Sequence, residues 1–160
     1  MTPPYRVGDE LPPLEIPVTR TLIVAGAIAS RDYQDVHHDA ASAREKGSPD
    51  IFMNILTTNG LVGRYITDHF GPTAVLRKVA IRLGAPNYPG DVLRLTGRIT
   101  ELRTADASSA DTSSADASSA EVVDAVEAVV QVTGGNGIGR HVTGTVAVTL
   151  PEPSAKRAGA

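Results

Sequence analysis

The segment Ser48-Pro49-Asp50-Ile51-Phe52-Met53-Asn54-Ile55-Leu56-Thr57-Thr58-Asn59-Gly60-Leu61-Val62-Gly63-Arg64-Tyr65-Ile66-Thr67-Asp68-His69-Phe70-Gly71-Pro72 carries the strongest helical signal in the chain. Ser48 suits an N-cap, Pro49 the first helical position and Asp50 the positive end of the helix dipole, and Gly71-Pro72 is a stop. Between these ends Ile51, Phe52, Ile55, Leu56, Val62, Ile66 and Phe70 fall mainly on one face. The pattern predicts one helix of about 20 residues, with Gly60 and Gly63 letting it lie close against a sheet. After it the period changes from 3.6 to two. Val142, Val146, Val148 and Leu150 share one face with Thr143, Thr145 and Thr149 on the other, and Val75, Val79, Ile81 and Leu83 repeat the alternation. Leu93, Leu95 and Ile99 do the same, as do Val122, Val126, Val130 and Val132. Four long strands following one long helix predict an α+β domain, an antiparallel sheet wrapped around a central helix. Gly134 to Gly139 reads as the hairpin turn between the last two strands, and Asn87 to Asp91 as the link of an earlier pair.

Upstream of the helix, Met1 to Pro13 is proline-rich and is expected to run over the surface before a short strand near Leu14 to Thr19. Thr21 to Ala29 is small and apolar, helix or strand by periodicity. Ala40 to Lys46 has helix-forming composition and Gly47 ends it. Downstream, Ala105 to Ala120 repeats Ala-Asp-x-Ser-Ser three times. That composition is too polar and small-sided to repay its ordering entropy, so a flexible hairpin extension is expected there, and a loose tail over residues 151–160.

The chain has 160 residues, 41% of them hydrophobic, which suits a single domain over 1–160. A formal net charge of -3 without a basic block leaves no electrostatic footprint for nucleic acid, and 4% aromatic residues make no base-stacking platform. No apolar run approaches the roughly 20 residues that span a bilayer, and the first residues do not read as a signal peptide, so a cytoplasmic protein is expected. The absence of cysteine removes disulfides, thiol catalysis and thiolate metal sites.

The chemistry concentrates just before the helix, in Ser30-Arg31-Asp32-Tyr33-Gln34-Asp35-Val36-His37-His38-Asp39. Asp32 and His37 stand five positions apart, and on a continuous helix they would diverge by roughly 140°. They act together only if a turn lies between them, and Asp32, Gln34 and Asp35 all favour turns. The plainer reading of the pair is an acid cap and a surface histidine. His37, His38 and Asp39 resemble a metal cluster, yet neighbouring histidines seldom aim at one ion, and no metal is expected. His69 and His141, near a helix end and a strand start, read as surface residues. The glycines from Gly134 lack dinucleotide-binding spacing and a following helix.

With these residues in view, the run from Ser30 to Asp39 resembles the signature of MaoC-like (R-specific) enoyl-CoA hydratases, close to Ser-Gly-Asp-x-Asn-Pro-Leu-His-x-Asp. Asp32 and His37 fall on its two catalytic positions, while Arg31, Gln34 and Asp35 depart from it. The segment Arg82-Leu83-Gly84-Ala85-Pro86-Asn87-Tyr88-Pro89-Gly90-Asp91 resembles the family's strand-turn-strand segment. Arg31 to Ile55, above all Gln34 to Asp39 and Asp50 to Leu56, is similar to the small subunits of heteromeric hydratases of actinobacterial steroid (cholesterol) side-chain degradation. The resemblance implies a hot-dog fold and no cofactor. It implies an enoyl-CoA substrate hydrated by Asp32 and His37, with the backbone N–H of Asn54, at the start of the central helix, receiving the thioester oxygen. Family members usually have glycine at that position. It implies a larger MaoC-like partner subunit with an OB-like domain that recruits a thiolase-like aldolase. Arg82, with Arg77 and Lys78, is a candidate for the CoA phosphates, although charges on an exposed strand face usually meet only water. Two other functions fit the same fold. One is a non-catalytic partner subunit; the other is a hot-dog thioesterase, which would carry its carboxylate on the central helix, where Asp50 and Asp68 lie only at the ends.

Overall fold

The computed structural model describes residues 5–105 and 125–151. Its first strand, β1 (Glu10–Pro17), is followed by α1 (Arg20–Ala29), a 3-10 turn (Asp35–His37), α2 (Ala40–Glu45) and the central helix α3 (Ile55–Phe70). Four strands complete it: β2 (Val75–Leu83), β3 (Val92–Ala105), β4 (Ala125–Gly135) and β5 (Arg140–Pro151). All pairings are antiparallel and the order across the sheet is β1-β3-β4-β5-β2.

The period-two pattern sorts β3, β4 and β5 as expected, while on β2 Val79, Ile81 and Leu83 are half-buried and Val75 is exposed. Leu93, Leu95 and Ile99 of β3, Val130 and Val132 of β4, and Val142, Val146, Val148 and Leu150 of β5 are buried, as are Val62, Tyr65, Ile66 and Phe70 of α3. Each such aliphatic side chain stabilises the fold by about 1.5–3 kcal/mol relative to exposure. This is the sheet wrapped on a central helix that the sequence predicts.

Four expectations change in detail. The central helix starts at Ile55 rather than near Ser48, with Asn54 as N-cap accepting from the Thr57 N–H. Residues 51–54 are pulled out of the helix by tertiary hydrogen bonds, Phe52 N–H to Val36 O and Met53 N–H to Asn87 O. As a result Ile55 and Leu56, expected on the apolar face, are exposed. The first strand begins at Glu10, and its Pro12-Pro13 pair sits in a register shift between Leu11 and Leu14, where an edge strand tolerates missing N–H donors. The link Asn87 to Asp91 is not a hairpin, because β2 pairs with β5 and β3 with β1 and β4. It is a crossover between distant strands, and on its way it docks on Met53. The fourth change is His141, buried rather than exposed, described below.

Thr21 to Ala29 proves helical, capped by Thr19. The helix expected at Ala40 to Lys46 forms with Asp39 as its cap, and Gly47 follows it at φ +88°. Of the serine-rich insertion expected at 105–120 only Ala105 is described, as the end of β3; the rest, Val122 and residues 152–160 lie outside the described residues. No helix among the described residues is long and apolar enough to cross a membrane.

Candidate active site

Asp32 is delivered by the end of α1. Ser30 is the C-cap, and the Arg31 N–H donates to Ile28 O while the Asp32 N–H donates to Ala27 O, the paired bonds of a Schellman motif. That motif needs a left-handed residue after the cap, and Arg31 supplies it at φ +57°. The family signature has glycine here, where no Cβ resists. Arginine hides the stop signal in the sequence without changing the geometry.

His37 arrives from the other side, on the 3-10 turn, and its Nε2 lies 3.4 Å from Asp32 Oδ2. The turn that the five-residue spacing demands is present. The His37 side chain is 7% exposed and that of Asp32 19%, so the pair is largely desolvated yet still open to a small molecule. His37 Nδ1 is 2.7 Å from Phe52 O, which can only accept, so Nδ1 carries a proton and Nε2 is the ring nitrogen turned toward the carboxylate. The Phe52 ring stands edge-on to the imidazole at 5.0 Å and fixes its plane.

Asn54 completes the group. Its backbone N–H has no hydrogen-bond partner among the described residues and precedes the open first turn of α3. Its carboxamide Nδ2 donates to Asp32 Oδ2 at 3.0 Å and to Ser30 Oγ at 2.9 Å. This donation is the chief reason the Asp32 carboxyl sits below its ordinary value; burial opposes it, while the Gln34 N–H and the His37 charge assist.

The remaining candidates are placed elsewhere. Arg82 is exposed on β2 and makes no hydrogen bond or ion pair to the dyad. Arg77 donates to Thr149 Oγ1. His38 is exposed with its Nε2 near Tyr33 O, and Asp39 accepts from the Ala41 and Ser42 N–H groups as the cap of α2, so neither joins His37. Asp35 is tied to Lys46 and Ser42, which bring its carboxyl down to about 2. Ile28, Tyr33, Ile55 and Leu56, close in sequence to Asp32 and Asn54, are exposed apolar residues.

His141 is 1% exposed, and both ring nitrogens are engaged. Its Nδ1–H donates to Ala85 O at 2.7 Å and its Nε2 accepts from Thr58 Oγ1–H at 2.8 Å. Burial pushes its pKa down, so the folded state holds it neutral. The sign follows from linkage: the unfolded chain binds this proton first, so stability is full above about pH 6.5 and falls as pH drops through that value toward the lower folded pKa. Urea unfolding at pH 7.5 and pH 5.5 should show the loss on the acid side. The His141→Ala variant should be less stable by about 1–3 kcal/mol at neutral pH, from the unpaired Thr58 and Ala85 groups, and should have a shallower acid dependence. An unchanged difference between the two pH values would exclude His141 as its source.

The roles of the Phe52 carbonyl and the Asn54 carboxamide are hidden in the sequence, because the local signals run the helix through both residues. The only signal was the asparagine itself, a preferred N-cap one residue before an apolar run.

No protein-family model matches the chain. The 3-oxo-4,17-pregnadiene-20-carboxyl-CoA hydratase beta subunit of Mycobacterium tuberculosis is 40% identical over 144 residues, covering 90% of this chain and 95% of the relative. A chain of the ChsH1-ChsH2 complex from Mycobacterium tuberculosis superposes with TM-score 0.73 at 39% identity, covering 94% of this chain and 99% of that one. The (R)-hydratase from A. caviae involved in PHA biosynthesis has TM-score 0.73 at 19% identity over 92% of this chain and 98% of its own, a likeness of fold. The hot-dog arrangement, the order of the matched segments and this identity across nearly the whole chain make the protein a member of the MaoC-like enoyl-CoA hydratase family.

Proposed function

We propose that this chain is the hydratase subunit of a heteromer that adds water across the α,β double bond of a steroid side-chain CoA thioester. The observation that carries the reading is the convergence of His37 Nε2 and Asp32 Oδ2, 3.4 Å apart, beside the Asn54 N–H, which has no partner among the described residues. When Nε2 is unprotonated both atoms are acceptors, and a proton donor resting against the pair, to one side of the line between them, satisfies both. A water there donates one hydrogen to each and points an oxygen lone pair outward at Cβ. As the C–O bond forms, one water proton passes to His37 Nε2, and the imidazolium is stabilised by the Asp32 carboxylate. The electrons of the double bond move onto the thioester oxygen, where the Asn54 N–H and the start of α3 meet the developing charge. The imidazolium then gives its proton to Cα, so that OH and H have been added and the enzyme is restored.

The substrate class rests on the relative, named for 3-oxo-4,17-pregnadiene-20-carboxyl-CoA. The larger partner rests on the ChsH1-ChsH2 complex and on the exposed edge strand β2, where Val75 and Leu76 are uncovered. On the same reading that partner is MaoC-like, bears an OB-like domain and recruits a thiolase-like aldolase. A thioesterase is less well supported. Asp50 precedes the helix and forms an ion pair with Arg20, and Asp68 lies exposed at its far end beside Arg64.

The test is co-expression with the larger subunit, followed by mass analysis of products from a panel of enoyl-CoA thioesters. The expected result is hydration of the steroid enoyl-CoA at least about tenfold faster than of a short linear one, which corresponds to about 1.4 kcal/mol of transition-state discrimination. Activity of this chain alone, greatest on the short linear thioester, would instead mark a general homodimeric hydratase. Release of free CoA would mark a thioesterase.

A further inference from the structure

We propose that the Asn54 carboxamide is a positioning residue that holds Asp32 as an anion aimed at His37, and so decides which member of the pair carries the proton. The inference rests on the dyad reading above and adds a function for a side chain at a position where the family resemblance expects glycine.

The network leaves the amide one orientation. Oδ1 accepts from the Thr57 N–H at 2.9 Å, so Nδ2 must be the end facing Asp32. The Ser30 hydroxyl donates to Gly26 O at 2.7 Å, so its oxygen is an acceptor for the second Nδ2 hydrogen. Every polar atom of the carboxamide is therefore used, and the residue is 2% exposed. An N–H donor in this place favours the carboxylate over the acid, whose own proton on Oδ2 would collide with it. The favour is needed, because Asp32 sits two residues beyond Ser30, the C-cap of α1, where the helix dipole opposes an anion. Asn54 answers from the N-terminal end of α3. One side chain thus couples the cap of the central helix to the charge on the carboxylate 22 residues earlier.

Few other groups compete for that role. His37 faces Asp32 from the 3-10 turn. On the loop itself Arg31 and Tyr33 are exposed, Asp35 is engaged with Lys46 and Ser42, and exposed His38 lies near Tyr33 O. The charged residues of the packed helices have other partners or lie elsewhere: Arg20 opens α1 paired with Asp50, Arg44 of α2 donates to Pro49 O, and Arg64, Asp68 and His69 lie in the second half of α3.

Two variants test the role in the assembled hydratase. Asn54→Asp keeps a capping oxygen for Thr57 but sets a second carboxylate beside the first. Asn54→Gly keeps the backbone N–H and a tolerated cap but removes the donor. Both should lower kcat about tenfold or more, with KM nearly unchanged. Both should also move the acid limb of the kcat/KM profile to higher pH, Asn54→Asp further because like charges share the site. A purely structural role would lower the melting temperature without moving that limb. An unmoved acid limb in Asn54→Gly overturns the proposal, whatever Asn54→Asp does. Asp32→Asn and His37→Ala measured alongside separate the two levels. If they retain full activity the dyad reading itself fails. If they lose it while both Asn54 variants keep the wild-type profile, only the role of Asn54 fails.

Discussion

Asp32→Asn and His37→Ala should each lower kcat for hydration of the steroid enoyl-CoA by about 10²–10⁴-fold, the largest catalytic effects expected anywhere in the chain. Asp32→Asn keeps the size of the side chain and an oxygen for the Asn54 amide, but it removes the charge that stabilises the imidazolium. His37→Ala removes the imidazole nitrogen that faces Asp32, along with the bond to Phe52 O. Because the two groups handle one water, the double variant should be little worse than the more damaged single variant. Residual activity would come from the Asn54 N–H and from substrate binding, which neither change touches. The measurement is loss of the enoyl thioester chromophore with the partner subunit present, after circular dichroism has shown that the variants fold. Wild-type rates for both would assign the chemistry to the partner and leave this chain a non-catalytic subunit.

The parts of this site differ in how far the sequence disclosed them, and the difference is physical. Apolar periodicity is a local property, so Val62, Ile66 and Phe70 announced a helix and Val146, Val148 and Leu150 a strand. Local signals misplace the start of α3, because Ser48-Pro49-Asp50 meets every local criterion for a helix start. What unwinds residues 51–54 is remote: Val36 and Asn87 offer carbonyls to Phe52 and Met53. The consequence reaches the chemistry, since a Phe52 outside the helix has a carbonyl free to meet His37 Nδ1.

His141 shows the same limit from the other side. Its position alternates with inward-facing Val142, which places it on the outer face by the period-two rule. It is nevertheless buried, because it lies at the strand's beginning, where Ala85 from the crossover and Thr58 from α3 claim both ring nitrogens. The dyad was readable because its residues are five apart and the intervening composition favours a turn. The Asn54 carboxamide was not, since nothing near residue 54 indicates that residue 32 will be its partner. Arg31 is a third kind of case: the left-handed position is required, but an unexpected residue fills it, and the signal vanishes from the sequence while the backbone keeps it.

Gly144→Ala should be the most damaging single methyl addition in the sheet. Gly144 lies opposite Ile81 of β2 and Val132 of β4. A Cβ on it would stand 2.2 Å from Ala80 O and 2.9 Å from Ile81 Cα, and both are backbone atoms that cannot turn aside as a side-chain end can. The strands would have to separate. Because β2 pairs with β5 alone, separation peels away the edge strand that brings Val79, Ile81 and Leu83 against the core. Overpacking of this kind costs about 3 kcal/mol, which for a domain of this size lowers the melting temperature by roughly 6–12 °C. Gly137, in the β4–β5 turn, is the matched control. It is exposed, its φ is not positive and its added Cβ meets nothing within 4 Å, so Gly137→Ala should change stability by no more than about 0.5 kcal/mol. Thermal melts of the two variants beside wild type decide the matter. A Gly144→Ala protein that melts with the Gly137→Ala control would show that β2 is not held to β5 as closely as the register requires.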